Sequence, residues 1–273
     1  PPDRPRGRGR KLAPPPVATR ARELGLPLLQ TADINEPESR RALAEAGGLA
    51  MVCAFGQIVR EPLLSDVELL NVHPSLLPRW RGAAPIERAL MAGDERTGVA
   101  IIRLVAELDA GPVALARELE IEPREDFGSL SRRLSTLGGE LAALALAQRA
   151  RGELELTPQA GDEVVYAEKI EPAERRLDPS LDASVLERTV RALTPHIGAY
   201  LELAGGARLG ITRALARPGS PAGPAPGELV AVNGELELGC GKGSLRIERV
   251  KPEGRREMAT ADFLRGHHAP ALA

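Results

Sequence analysis

An uninterrupted apolar run at 49–55 constrains the fold of this chain more than any other feature of the sequence. A run of that length suits a strand whose two faces are both buried, as they are in a parallel sheet. A polar helix is predicted before this run, at 37–46, and a second strand after it, at 69–73. Strands that alternate with helices in this way predict an α/β layer architecture.

The alternation continues further along the chain. The next predicted elements are a helix at 85–92, strands at 99–105 and 113–121 joined by a turn at 109–112, and a long helix from Asp126 with one leucine stripe. Nearer the start, a short strand is predicted at 26–29. Residues 1–16 are rich in Arg, Pro and Gly, which predicts a loop there.

The chain has 273 residues, enough for two domains, and its composition changes after residue 155. A helix is predicted at 184–193. Short strands separated by Gly/Pro-rich turns are predicted at 199–203, 207–216, 228–232, 235–238 and 244–250. Strands at this spacing predict a small antiparallel barrel. We place the domain boundary near residue 165, which divides the chain into 1–165 and 166–273.

The bulk composition limits the possible partners. A net charge of −2 argues against a generally basic nucleic-acid binder, so any RNA contact must be local. Cys53, Cys240 and the four histidines lack metal-ligand spacing, which predicts free thiols in a reducing compartment and no metal site. No apolar run approaches the roughly 18 residues of a membrane span, so we expect a cytoplasmic protein.

Three polar residues lie at or after the ends of predicted strands. Asn71 and His73 point to the same face, because side chains alternate along a strand, and Asp109 follows the next strand. Amide, imidazole and carboxylate together can hold an oxyanion and move one proton, which is the chemistry of acyl-type transfer to an amine. From the residues alone an alternative stays open, in which they serve as a turn cap, a buried imidazole and a turn residue.

The stretch at 71–86 reads NVHPSLLPRWRGAAPI and resembles the signature of the folate-dependent formyltransferases. PDRPRGRGRKL at 2–12, VYAEKI at 165–170 and KPEGRREM at 251–258 agree with it, and these flanking stretches most resemble the members that act on methionyl-tRNA. The resemblance implies a Rossmann-like domain with a mostly parallel sheet and a C-terminal OB-like β-barrel domain that binds tRNA. It also implies a preceding strand–helix–strand of about 30 residues, so we expect an N-terminally incomplete chain.

The resemblance further implies a reaction and its residues. The formyl group of the co-substrate 10-formyltetrahydrofolate would pass to the free amine of initiator methionyl-tRNA, with the protein acting as a monomer. Asn71 and His73 would donate to the oxyanion, and Asp109 would orient His73 and support proton transfer. The residues that would bind folate are Phe55, Gly56, Ser75, Leu76, Leu77 and Pro78. The cationic arm that would follow tRNA phosphates consists of Arg4, Arg6, Arg8, Arg10 and Lys11.

Several alternatives stay open. The same core could formylate an amino sugar nucleotide or glycinamide ribonucleotide, or use water as acceptor, and the chain could be a non-catalytic RNA-binding remnant. The arm could be a solvated terminus, and the Leu-Leu-Pro loop could simply pack on the core. Trp80 could stack on a base or serve as packing. Ile197 and Tyr200 depart from the proline and tryptophan that relatives usually carry.

Overall fold

The structure is a computed structural model that describes residues 1–6, 11–161, 163–219, 223–267 and 270–272, without the side chain of Arg6. The chain divides into two units. The first comprises 1–73, 100–115 and 141–159, and the second comprises 74–99, 116–140 and 160–273. Each unit gathers segments that are distant in sequence, so the units do not follow a single cut. The boundary near residue 165 stays a prediction.

The elements follow in chain order. The helices are α1 (Pro16–Glu23), α2 (Pro37–Glu45), α3 (Leu63–Asp66), α4 (Pro85–Ala92), α5 (Phe127–Ala150), α6 (Ala183–Leu193) and α7 (Thr260–Leu264), with a 3-10 turn at Pro172–Arg175. The strands are β1 (Arg4–Arg6), β2 (Lys11–Ala13), β3 (Leu49–Cys53), β4 (Glu68–His73), β5 (Arg79–Gly82), β6 (Arg96–Arg103), β7 (Val113–Glu120), β8 (Val165–Ala167), β9 (Ala199–Glu202), β10 (Arg208–Arg217), β11 (Leu229–Val232), β12 (Glu235–Gly239), β13 (Ser244–Pro252) and β14 (Met258–Ala259).

A four-stranded sheet has the strand order β3-β4-β6-β7, and its strands β3 and β4 lie wholly in the first unit. Strand β4 pairs with β3 in parallel, with Val72 opposite Cys53, and with β6 in antiparallel register, with His73 opposite Ala100. Beneath it lies a small apolar core of Leu63, Val67 and Leu69. The predicted α/β architecture is confirmed, and the sheet mixes parallel and antiparallel pairs because β6 runs back along β4.

The start of the chain differs from its prediction. The predicted loop contains a short antiparallel hairpin, in which Arg4 lies opposite Ala13 and Arg6 lies opposite Lys11. Backbone pairing needs no apolar side chains, which is why composition missed the hairpin. Helix α1, which begins at Pro16, was also missed. No strand forms at 26–29, where Pro27 lacks a backbone N–H for a sheet ladder.

The second unit contains the predicted C-terminal strands. They form one antiparallel sheet in the order β11-β12-β13-β10-β9, with β14 paired to β13. Helix α6 packs its buried face, including Leu186, Val190 and Leu193, on the apolar core of this sheet. The predicted antiparallel strands are thus present, but within the described residues no strand pairing joins β11 to β9, so they do not close into the predicted barrel. The OB-like character of this domain stays a prediction.

A two-stranded parallel sheet of β5 and β8 also belongs to the second unit, and the sequence did not predict it. Gly82 has φ of +122°, and a Cβ there would lie 2.8 Å from the Ala167 carbonyl oxygen. Only glycine allows this close approach. The pairing joins two of the stretches that carried the family resemblance, 71–86 and 165–170.

None of the helices in the described part of the chain combines the length and apolar content that crossing a bilayer requires.

Candidate active site

Strand β4 presents Asn71 and His73 on one face of the sheet. Both residues are held through their backbone, with Asn71 opposite Ile102 and His73 opposite Ala100 on β6. The His73 side chain is only 5% exposed. A strand paired on both sides cannot rotate, so the amide and the imidazole keep a fixed separation.

Asp109 approaches both of these side chains. Asn71 Nδ2 donates to Asp109 Oδ1 over 3.5 Å, and His73 Nδ1 lies 3.6 Å from Asp109 Oδ2. The Asp109 side chain is 10% exposed. Charges that are largely withdrawn from water interact more strongly than exposed ones. The structure therefore brings the three predicted catalytic residues together, with the carboxylate on the Nδ1 side of the imidazole.

Asp109 reaches this position on a tight loop between β6 and β7. The loop is closed by a hydrogen bond from Arg103 N to Pro112 O (3.0 Å), and Leu104 N donates to Leu69 O (2.8 Å). Asp109 has φ of +46°, in the left-handed region that non-glycine residues seldom adopt. Such strained residues cluster at functional sites, because surrounding contacts must hold them in place.

A cavity of about 530 Å³ lies beside the same loop. Its lining includes Leu64 and Leu69, together with Leu104, Val105 and Ala106 of the loop. A charged pair closes part of its wall, where Arg149 lies 2.8 Å from Glu68. The volume is in the range of small-molecule sites, roughly 300–1,000 Å³. No pattern in the sequence predicted these residues, because they come from three separate segments, 61–69, 103–106 and Arg149.

The predicted folate residues fall in two places. Phe55 and Gly56 follow β3 in a loop tethered by Gln57, which accepts a hydrogen bond from Ile34 N (2.9 Å) and donates to Ala32 O (3.1 Å). Neither residue is among those lining the cavity. The stretch at 75–78, which is Ser75, Leu76, Leu77 and Pro78, belongs to the second unit. There the buried Ser75 hydroxyl donates to Arg79 O (2.7 Å).

The predicted cationic arm forms part of the β1–β2 hairpin. Arg4 and Lys11 are exposed, and the backbone of Arg6 lies opposite Lys11. Arg8 and Arg10 lie outside the described residues. Gln30 ties the start of the chain to the first unit, since its Nε2 donates to Pro1 O (3.0 Å) and to Asp3 Oδ1 (2.9 Å). The described cations therefore stand on a paired backbone instead of a loose terminus.

Trp80 takes part in a polar cluster with its neighbours. Its Nε1 donates to Asp94 Oδ2 (2.7 Å), and Arg79 lies 4.4 Å over its ring. Arg79 also donates to Asp94 from Nη2 (2.7 Å) and Nε (2.9 Å), and these hydrogen bonds raise the pKa of the guanidinium. These contacts favour the packing role for Trp80 over base stacking.

Both cysteines are free thiols, Cys53 exposed and Cys240 buried. Burial raises the pKa of Cys53 and raises that of Cys240 to about 11, so neither is an activated thiolate near neutral pH. Across the described ranges no cluster of three or more His, Cys, Asp or Glu side chains could hold a metal ion.

Comparison with known proteins yields two family matches. The family described as "Formyl transferase" matches residues 1–146, and "Formyl transferase, C-terminal domain" matches residues 169–268. A methionyl-tRNA formyltransferase of Methylococcus capsulatus is 44% identical over 269 residues, covering 97% of this chain and 87% of the relative. One from Halorhodospira halophila is 44% identical over 268 residues, covering 97% of this chain and 86% of the relative.

Solved structures are similar in fold. HypX from Aquifex aeolicus, in complex with tetrahydrofolic acid, matches with a TM-score of 0.64 at 23% identity, covering 84% of this chain but only 41% of HypX. A methionyl-tRNA formyltransferase from Clostridium thermocellum matches with a TM-score of 0.58 at 15% identity, covering 73% of this chain and 87% of that chain. At these identities the two likenesses establish the fold alone.

The Asp109 loop should tolerate no side chain at Gly111. A Cβ there would overlap the Arg103 carbonyl oxygen, so Gly111→Ala should lower the free energy of unfolding by about 1–3 kcal/mol through overpacking. Urea denaturation measures the change. Gly139→Ala is the matched control, because a Cβ at Gly139 of α5 meets no atom within 4 Å. It should stabilise the helix by up to about 1 kcal/mol. Equal stability of Gly111→Ala and the parent would contradict the loop geometry.

Proposed function

On the strength of the family matches and of its identity to curated relatives, the chain belongs to the formyl transferase family, and we propose that it transfers the formyl group of 10-formyltetrahydrofolate to the free amine of methionyl-tRNA for translation initiation. The family membership predicted from the stretch at 71–86 is thereby confirmed. The observation that carries the proposed reaction is the approach of Asp109 to both Asn71 and His73.

These three residues suit each step of the transfer. The amine nitrogen attacks the formyl carbon, and the carbonyl oxygen becomes an oxyanion that Asn71 and His73 stabilise as hydrogen-bond donors. Asp109 lies on the Nδ1 side of His73, and in the proposed step the protonated ring donates to the oxyanion through Nε2. The amine gives up a proton, with Asp109 supporting its transfer. The bond between the formyl carbon and N10 then breaks, and tetrahydrofolate leaves with a proton on N10.

We assign the formyl donor to the cavity beside the Asp109 loop. Leu64, Leu69 and Leu104 supply apolar walls for a flat pterin ring, and the backbone of the loop supplies donors and acceptors. The cavity-lining residues at 104–106 belong to the same loop as Asp109, which supports this assignment, although Asn71, His73 and Asp109 do not themselves line the cavity. Phe55, Gly56 and the stretch at 75–78 do not line this cavity, and their role in folate binding stays a separate prediction.

We assign the tRNA to the cationic arm and to the C-terminal domain, for which we keep the predicted span of 166–273. Arg4 and Lys11 stand exposed on paired strands, where cations can follow successive phosphates. The net charge of −2 means that affinity must come from such local groups. A protein that acts on aminoacyl-tRNA works where translation occurs, so we place it in the cytoplasm, as a monomer.

Two other readings make different predictions. A formyltransferase for a small amine, such as an amino sugar nucleotide, would turn over without tRNA and would ignore competing bulk tRNA. A non-catalytic RNA-binding remnant would bind tRNA in a salt-dependent way and transfer no formyl group. The hairpin that presents Arg4 and Lys11 favours an RNA substrate over a small amine.

Replacement of either oxyanion donor should abolish most of the turnover. Asn71→Ala should lower kcat for formyl transfer to methionyl-tRNA by about 10²–10³-fold, the usual effect of losing one donor, and His73→Ala by at least as much. Transfer of labelled formyl to methionyl-tRNA measures the rate. His196→Ala, which removes a histidine paired with Glu87, is the control and should keep kcat close to the parent value. A His73→Ala variant as fast as the parent would refute the site.

Filling the cavity should weaken binding of the formyl donor. Ala106 is exposed at the cavity wall, so Ala106→Trp can occupy the space without disturbing the core. We expect the KM for 10-formyltetrahydrofolate to rise about tenfold or more, with a smaller change in kcat. The reason is that the tryptophan weakens binding of the substrate and of the transition state equally. Ala44→Trp, at an exposed position of α2, should leave both constants unchanged. An unaltered KM in Ala106→Trp would place the donor elsewhere.

Reversal of charge on the arm should weaken tRNA binding. Lys11→Glu removes a phosphate contact, so the slope of log Kd against log salt should become shallower by about one unit. Filter binding with methionyl-tRNA at several salt concentrations measures the slope. Arg151→Glu, an exposed charge reversal at the end of α5, controls for net charge. Equal slopes for Lys11→Glu and Arg151→Glu would remove the arm from the binding surface.

A further inference from the structure

Gln159 lies outside the loop at 104–112 that carries Asp109, and its side chain binds the backbone of that loop. Its Nε2 donates to Asp109 O over 2.7 Å and to Gly111 O over 2.8 Å. A primary amide carries two N–H groups, so one nitrogen satisfies both carbonyls at once. These two carbonyls flank Ala110 and therefore define the backbone on the C-terminal side of Asp109.

Gln159 itself is anchored to the strand that leaves the loop. Val113 N donates to Thr157 O (2.8 Å), and Thr157 N donates to Val113 O (2.9 Å). This antiparallel bridge lies two residues before Gln159 and two residues after Gly111. The Val113–Thr157 bridge holds one end of the segment 109–113, and the Gln159 side chain holds the other end. The backbone between them therefore has little freedom.

The loop requires such a clamp because Asp109 adopts an unfavourable backbone conformation. Its φ of +46° is the left-handed conformation, which residues with a Cβ seldom adopt and keep only when their surroundings hold them there. The same backbone directs the Asp109 carboxylate at Asn71 and His73. Relaxation of φ would turn the carboxylate away from both partners.

We infer that Gln159 is a positioning residue for formyl transfer, which it supports by fixing the Asp109 carboxylate through the loop backbone. The inference rests on the proposed function and adds a residue to it that lies 50 positions away from Asp109 in the chain. Gln159 acts on the backbone carbonyls of the loop, and the carboxylate of Asp109 does the chemistry.

The first experiment removes the two side-chain N–H groups of Gln159 and keeps the length of the side chain. Gln159→Met has nearly the same length and no N–H group, and Gln159→Glu places a carboxylate against the two carbonyl oxygens. Each should lower kcat by about tenfold to 100-fold, the cost of misplacing a catalytic group by about an ångström, with little change in either KM. Gln148→Glu in α5 is the charge-matched control and should keep the parent kcat.

A double-mutant cycle separates positioning from general stability. If Gln159 acts through Asp109, then Gln159→Met should change kcat by less than about threefold in an Asp109→Asn background, because coupled residues are not additive. An equal loss in both backgrounds would overturn the inference. So would full activity of Gln159→Met beside an active parent, a result that leaves the proposed function intact. Inactivity of the parent itself would instead refute the proposed function.

A structural readout tests the inference without any turnover. In a crystal structure of Gln159→Met, Asp109 should leave the left-handed region, and the His73 Nδ1–Asp109 Oδ2 distance should exceed 3.6 Å. An unchanged φ and distance would overturn the inference. If Gln159→Met does not fold, Gln159→Asn replaces it, since its amide is one methylene too short to reach both carbonyls.

Discussion

The pairing of β4 with a strand on each side is the constraint on which the candidate site depends. Backbone hydrogen bonds to β3 and β6 leave β4 no rotational freedom, so the sheet determines where Asn71 and His73 lie. The small apolar core of Leu63, Val67 and Leu69 supports the strand from one face. Two polar side chains can then stay largely out of water because a carboxylate is brought to them.

Local patterns account for the parts of the fold that the sequence could predict. The predicted helix at 85–92 matches α4, and the predicted helix at 184–193 matches α6 within one residue. Both have an apolar stripe and a clear boundary residue. The C-terminal strands were predicted because Gly/Pro-rich turns separate them. Asn71, His73 and Asp109 were predicted because each ends or follows a strand, on the expectation that strand ends meet at one edge. In the structure β6 runs antiparallel to β4, so its C-terminal end does not lie beside His73, and the loop after β6 brings Asp109 to both side chains.

The remaining features depend on contacts that no local pattern records. The donors of Gln159 meet carbonyls about 50 residues earlier in the chain. The cavity gathers segments from α3 to α5, and the β1–β2 hairpin forms from backbone alone. The predicted strand at 26–29 failed for a converse reason: an apolar run is not a strand without a partner and a full set of N–H groups.

The parallel pair of β5 and β8 bears on how this chain could be cut or recombined. Strand β5 begins six residues after His73, and β8 begins at the predicted domain boundary near residue 165. A chimera joined at the boundary near 165 would take β8 from a foreign protein, although β8 packs so closely on β5 that a Cβ at Gly82 would lie 2.8 Å from the Ala167 carbonyl oxygen. An exchange of the two parts therefore keeps β5 and β8 from one parent only if the junction lies after Ala167.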